Sequence, residues 1–152
     1  MRIMFVCHGN ICRSPMAEFI FKKLLEEKEI TGYTVASSAT STEEIWGGMG
    51  NPVYPPAKEE LAKHGISCKG KRAVQLKRDD YKKYDLFVGM DNVNIRNMER
   101  IFGGDPEKKI HKLMDYTDRG GDIADPWYSD RFDVAYRDVY EGCLALLDTL
   151  LA

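Results

Sequence analysis

The stretch Ile3-Met4-Phe5-Val6-Cys7-His8-Gly9-Asn10-Ile11-Cys12-Arg13-Ser14-Pro15 decides how the chain is read. Its first four residues are apolar, so Ile3 to Val6 predicts a buried strand. Ser14-Pro15 predicts a helix start, with Ser14 as N-cap and Pro15 at the first helical position. Between the two lies a short loop that begins with Cys7 and ends with Arg13, a C-x5-R spacing. A loop curling into a helix N-terminus points several N–H groups at one spot, and the helix dipole adds positive character. Gly9 and Asn10 tolerate the left-handed backbone that such a cradle demands. The pattern predicts an anion site, with Arg13 offering a planar fork of donors to two phosphate oxygens. The same positive environment is expected to hold the Cys7 sulfur as a thiolate aimed at the bound anion. A hydroxyl from Ser14 is placed to stabilise that sulfur further.

Working outward, the chain alternates short apolar runs with helical periods. Met16, Phe19, Ile20, Leu24 and Leu25 keep helical spacing to about Lys28. Tyr33 to Ser37 predicts a second strand, followed by a long Gly/Pro-rich loop that contains Trp46. Pro55-Pro56 opens a helix ending near His64-Gly65. Asp85 to Met90 predicts a buried strand, and Asp91 caps a helix reaching Phe102. Ile110 to Met114 reads as a weaker fourth strand. Phe132, Tyr136, Val139, Cys143, Leu146 and Leu150 fall on one face of a last helix. Strands alternating with helices imply an α/β fold: a four-stranded parallel sheet with helices on both faces and a phosphate-binding loop after the first strand. Ligands in such sheets bind beyond the carboxyl ends of the strands, where Cys7 lies.

At 152 residues with 43% hydrophobic and 30% charged content, residues 1–152 suit one domain with its own core. Lys+Arg of 22 against Asp+Glu of 24 leaves a formal charge of -2. No general pull toward nucleic acid or a membrane surface follows, so an anion site must be local. The apolar start is too short for a signal peptide or a membrane span. Cys7, Cys12, Cys68 and Cys143 lack the paired spacing of a zinc site, and reduced thiols in the cytoplasm are the default.

The run V-C-x-G-N-I-C-R-S-P-M-A-E resembles the signature of low-molecular-weight protein tyrosine phosphatases. Met90-Asp91-Asn92-Val93-Asn94 is similar to the M-D-x-x-N junction of that family, and Asp125-Pro126-Trp127-Tyr128 to its acid loop. The resemblance spans nearly the whole chain. It implies that Cys7 attacks phosphorus while Arg13 and the N–H groups of His8, Gly9, Asn10, Ile11, Cys12 and Ser14 bind the phosphate. Asp125 is implied as the acid that protonates the departing phenolate and then activates water. Trp46, Trp127 and Tyr128 are implied to line the substrate, and Ser37 to bond Asn10. Neither metal nor cofactor is expected, because Arg13 and the backbone compensate the charge. Partners are expected to be phosphotyrosine proteins, and the chain a monomer. Many members carry a supporting His near the loop Asn. Here Lys69-Gly70-Lys71-Arg72-Ala73-Val74 stands, with Gly70 in the place of that His, so the support for Asn10 is expected to differ.

Other readings compete. Cys7 as a mere buried strand-end thiol explains neither Arg13 nor the helix start. Cys12 is equally well an inert packing thiol or a partner in a reversible disulfide with Cys7. Asp118, Arg119 and Asp122 beside a Gly-Gly turn read as a solvated loop. A thiol-relay arsenate reductase needs further cysteines near mid-chain, where only Cys68 lies. An arginine phosphatase tends to carry Thr where this chain has Ile11. A silent phosphate-binding module has no need of Cys7, Arg13 and Asp125 together.

Overall fold

A computed structural model describes residues 1–152. In chain order the elements are β1 (Arg2–Cys7), α1 (Arg13–Glu27), β2 (Thr34–Ala39), β3 (Ile45–Trp46), β4 (Met49–Gly50) and α2 (Pro55–Lys63). They continue with β5 (Leu86–Gly89), α3 (Asn92–Phe102), β6 (Ile110–Lys112), α4 (Pro126–Ser129) and α5 (Phe132–Leu151). Short 3-10 turns cover Arg78–Lys82 and Leu113–Tyr116. The strands β2-β1-β5-β6 form one parallel sheet in that order, with Ile3 paired to both Val35 and Leu86.

The alternation of β1 divides the core. Ile3 and Phe5 join α1 and α5 residues such as Met16, Ile20, Val139 and Leu146 on one face of the sheet. Met4 and Val6 join Phe87, Met98 and Phe102 beneath α3 on the other. Both faces are covered, which is why β1 and β5 read as continuous apolar runs. Phe5 is fully buried, and its truncation to Ala is expected to cost about 3–5 kcal/mol. No helix is long and apolar enough to cross a membrane.

The strand order puts the site in place. From β1 the chain crosses to β2 on one side and then returns to β5 on the other. A crevice opens where the direction of crossing reverses, at the carboxyl ends of β1 and β5. The loop from Cys7 to Arg13 leaves β1 at that point, and Asp91 follows β5 there.

Three local expectations change. Ser14 is not the N-cap: α1 begins at Arg13, and Cys12 precedes it with no side-chain cap. The Ser14 hydroxyl is instead committed to Cys7 and Asn10, which outcompete a cap available to any first-turn amide. The loop containing Trp46 is partly ordered as a two-stranded hairpin of β3 and β4. Its Gly50 is required, because a Cβ there would lie 1.9 Å from the Ala73 carbonyl oxygen. The fourth strand stops at Lys112 and tightens into a 3-10 turn, which buries Leu113 and Met114 against the core.

Candidate active site

Cys7 is the last residue of β1, and the seven-residue loop through Arg13 wraps around its sulfur. The Asn10 N–H donates to Cys7 Sγ at 3.3 Å, and Ser14 Oγ lies 2.9 Å from the same atom. Asn10 carries the left-handed turn with φ 58°. Gly9 has ordinary φ; a Cβ there would crowd Glu44 Cγ at 3.3 Å. The N–H groups of His8, Gly9, Ile11 and Cys12 find no acceptor within the protein. Unpaired amides around a helix N-terminus form an anion cradle.

The loop is held from below by a buried polar network. Asn10 Oδ1 accepts the Val74 N–H at 3.0 Å, which fixes the amide so that its two N–H protons face Ser14 Oγ (2.8 Å) and Ser37 Oγ (2.9 Å). The Ser37 hydroxyl then donates to Glu18 Oε1 at 2.6 Å. Asn10, Ser14, Ser37 and Glu18 are all buried. Gly70 is not part of this support. It sits in a turn with φ 86° and has open space where a side chain would be. The next residue points inward instead: Lys71 Nζ donates to the Ser37 carbonyl at 3.0 Å.

Arg13 is 3% exposed and sits at the centre of the crevice. Its NH1 donates to Asp91 Oδ2 at 2.7 Å and to the Ile123 carbonyl at 2.9 Å. Asp91 also caps α3 by accepting the Asn94 N–H through Oδ1, so one side chain both starts a helix and anchors the guanidinium. Burial opposes the charge of Arg13, but the Cys7 sulfur, the Asp91 hydrogen bond and Asp125 outweigh it and raise its pKa above the ordinary value. NH1 is occupied, and Nε has no hydrogen-bond acceptor within the protein. Burial, then the Cys7 sulfur and Asp125, push the Cys12 thiol far above the usual range, so it stays protonated at neutral pH.

Asp125 arrives from a distant segment. Its Oδ1 accepts the Trp127 N–H at 3.1 Å and caps α4, while Oδ2 lies 3.5 Å from Arg13 NH2. Cys7, His8, Gly9, Ile11, Cys12, Arg13, Glu43, Glu44, Asp125, Trp127 and Tyr128 line one cavity. Trp127 leans on Tyr54, with ring centroids 4.8 Å apart, and Tyr128 stands in solvent. Asn10, Ser14 and Ser37 support this cavity from beneath.

Trp46 does not line it. The hairpin turns at Gly47 and Gly48, both with positive φ, and leaves Trp46 74% exposed. Glu43 and Glu44 take that wall, and Glu43 Oε2 lies 3.0 Å from His8 Nε2. Sequence reasoning missed both glutamates. They follow the carboxyl end of β2, the strand beside β1, so strand adjacency was the signal that pointed to them. The segment before Asp125 is tethered as well. Arg119 bonds Asp138 and Glu141 of α5, Lys112 bonds Asp122, and the Ile123 N–H donates to the Met90 carbonyl. Of the residues expected in a solvated loop, Arg119 and Asp122 are therefore bound. No group of three His, Cys, Asp or Glu side chains is arranged to hold a metal ion.

Residues 2–152 match the family model described as low molecular weight phosphotyrosine protein phosphatase. The chain is 36% identical over 152 residues to the low molecular weight protein-tyrosine-phosphatase YfkJ of Bacillus subtilis, covering 97% of this chain and 94% of that protein. It is 36% identical over 146 residues to the low molecular weight phosphotyrosine protein phosphatase of Gallus gallus, covering 93% and 88%. The crystal structure of YfkJ superposes with a TM-score of 0.93, covering 99% of this chain and 94% of that one. A mutant of the YwlE arginine phosphatase with a phosphorylated active-site serine superposes with a TM-score of 0.86 at 26% identity, covering 99% and 96%.

Proposed function

Because the chain belongs to the low molecular weight phosphotyrosine protein phosphatase family, and is a phosphatase, we propose that its substrate is phosphotyrosine in proteins and that Cys7, Arg13 and Asp125 carry the reaction. The observation that supports this most is the shared position of the three groups in one cavity. The buried Arg13 lies between the loop that surrounds Cys7 and the carboxylate of Asp125. Cys7 Sγ attacks phosphorus, and the loop amides with Nε and NH2 of Arg13 take the equatorial oxygens. Asp125 Oδ2, free of the α4 cap, gives its proton to the phenolate oxygen. The same carboxylate then removes a proton from water as that water displaces the thiolate and releases inorganic phosphate. The phosphorylated active-site serine of the YwlE mutant agrees with a phosphoryl-enzyme intermediate on this scaffold.

Hydrolysis of phosphoarginine is the second reading, favoured by the fold shared with YwlE and by Glu43 and Glu44 on the cavity wall, whose carboxylates suit a guanidinium. Against it, the cavity has Ile11 on one side with Trp127 and Tyr128 at its mouth, a wall for a flat apolar ring. Arsenate reduction is poorly served. Cys68 lines a separate pocket, and Cys143 donates to the Ala17 carbonyl within the core. Initial rates on a phosphotyrosine peptide, a phosphoarginine peptide and arsenate with a thiol reductant test the proposal. Turnover of the first is expected to exceed the other two by at least about 10². Faster phosphoarginine turnover would transfer the specificity to the second reading.

A further inference from the structure

The buried network under the phosphate loop has a direction, and a cation at its far end. Asn10 spends one amide proton on each of two serine oxygens. Each serine owns a single proton to give onward. The Ser37 hydroxyl donates to Glu18, and with Cys7 as the thiolate of the proposed mechanism the Ser14 hydroxyl donates to Sγ. The Val74 N–H orients the Asn10 amide, so the far end of the network sets position: by accepting the Ser37 hydroxyl, Glu18 holds that serine beneath Asn10.

Glu18 is 5% exposed. A carboxylate so enclosed stays ionised only with compensating charge. Lys22 supplies some at 2.6 Å, but its side chain is 44% exposed. The enclosed compensation comes from Lys71, whose Nζ is 3.6 Å from Glu18 Oε1 with the side chain 11% exposed. The Lys71 ammonium also fastens the Ser37 carbonyl at 3.0 Å, joining the segment after α2 to the end of β2. Burial draws the Lys71 pKa below its ordinary range, while Glu18 raises it. Lys22 and the Cys7 sulfur are the other charges that bear on it. A lysine is a costly residue to enclose, and here it is held by the Ser37 carbonyl and Glu18.

We propose that Lys71 is a positioning residue for catalysis: its enclosed ammonium ties Glu18 to the Ser37 carbonyl, so that Ser37 seats the Asn10 amide where it orients the Ser14 hydroxyl toward Cys7. The proposal rests on the phosphatase reading with Cys7 as nucleophile. Lys71 touches no substrate, and its effect passes through Ser14.

A double-mutant cycle tests it with p-nitrophenyl phosphate, using wild type, Lys71→Met, Ser14→Ala and the double variant, alongside Lys71→Arg. Lys71→Met is expected to lower kcat roughly tenfold, as a displaced supporting contact does, with KM changed less than about threefold. In the Ser14→Ala background the same change is expected to cost less than about twofold, because residues acting through one network are not additive. Lys71→Arg, which keeps the charge, is expected to recover most of kcat. Equal losses in both backgrounds would overturn the proposal, as would Lys71→Arg no better than Lys71→Met. Should Lys71→Met not fold, Lys71→Gln replaces it in the cycle with the same two criteria. A wild-type enzyme inactive on every phosphoester would refute the underlying reading instead, which separates the two failures.

Discussion

The loop from Cys7 to Arg13 and the segment from Thr117 to Arg131 meet at one cavity, yet they are held in opposite ways. The first is buried and fixed from within. Asn10 and Ser14 are fully enclosed, and their side-chain contacts to Cys7, Ser37 and each other are buried, with the Val74 N–H as the one link to an exposed residue. The second is mostly exposed, anchored inside only at Ile123 and Pro126 and otherwise fixed from outside. Trp127 is 52% exposed and Tyr128 84%, and the tethers of Arg119 and Asp122 lie at the surface. Buried, mutually satisfied networks rigidify a site, whereas exposed ion pairs are individually weak and screened by salt. The contrast fits the proposed division of chemistry. A nucleophile and its oxyanion donors are best preorganised, whereas a proton donor above them has to let substrate in and product out.

Arg13 joins the two regions, because its NH1 bonds both Asp91 and the Ile123 carbonyl. Variants on either side of this joint separate their contributions. The largest effect is expected from Cys7→Ser, which abolishes measurable turnover while circular dichroism and the melting transition stay near wild type. A serine hydroxyl is hardly ionised at neutral pH, though the cradle around it persists. Residual turnover near the wild-type rate would remove Cys7 from the covalent role.

Asp125→Asn comes next, with kcat lower by about 10²–10⁴-fold. The loss is greatest for phenyl phosphate and smaller for p-nitrophenyl phosphate, whose leaving group needs less protonation. A leaving-group series with equal slope in mutant and wild type would assign the acid elsewhere, first to Asp122 or Asp118.

Arg13→Lys is expected to lose about 10²–10³-fold in kcat, nearly as much as Arg13→Ala. A lysine keeps the charge, but it cannot hold Asp91 and the Ile123 carbonyl while presenting two further donors. Rates close to wild type for the lysine variant would mean that charge alone serves.

Loosening the outer region from a distance is milder. Arg119→Ala releases the bonds to Asp138 and Glu141 and is expected to lower kcat about threefold to tenfold. The loss should be larger at low salt, where the tether is unscreened in wild type, and larger for the more basic leaving group. A drop that ignores the leaving group would place the tether's effect outside proton donation.

The smallest contrast lies inside the first region. Iodoacetamide at pH 7 is expected to label Cys7 and spare Cys12, because burial and the neighbouring negative groups keep the Cys12 thiol protonated. Peptide mass mapping reads the outcome, and equal labelling would mean that the loop opens on the timescale of the reaction.

These two regions also differ in how far they could be read beforehand. The inner one was written almost continuously: strand, C-x5-R and Ser-Pro lie within thirteen residues, so loop, helix start and candidate nucleophile were visible together. Even there the Ser14 assignment failed as a cap, because the hydroxyl had a better partner across the loop. Asp125 was visible only through its resemblance to an acid loop, since no local rule connects it with a cysteine 118 positions earlier. Trp46 was misjudged because the turn at Gly47-Gly48 sets its direction. The solvated loop of Asp118, Arg119 and Asp122 stays exposed but gains ion pairs whose partners lie on other elements, Asp138 and Glu141 on α5 and Lys112 at the end of β6.

The sequence by itself determined the periodicities, hence the parallel α/β sheet, and the local backbone of the loop from Cys7 to Arg13. Those depend on neighbours within a turn or a strand, where sterics and hydrogen bonding are nearly fixed by residue type. Only the tertiary structure decided which distant charges close on that loop: Asp91 and Ile123 on Arg13, Lys71 and Glu18 beneath Ser37, Glu43 and Glu44 at the rim. Such pairings follow from sheet order and from which face each segment buries. A buried charge takes the partner that the fold brings within a few ångströms, wherever that partner lies along the chain.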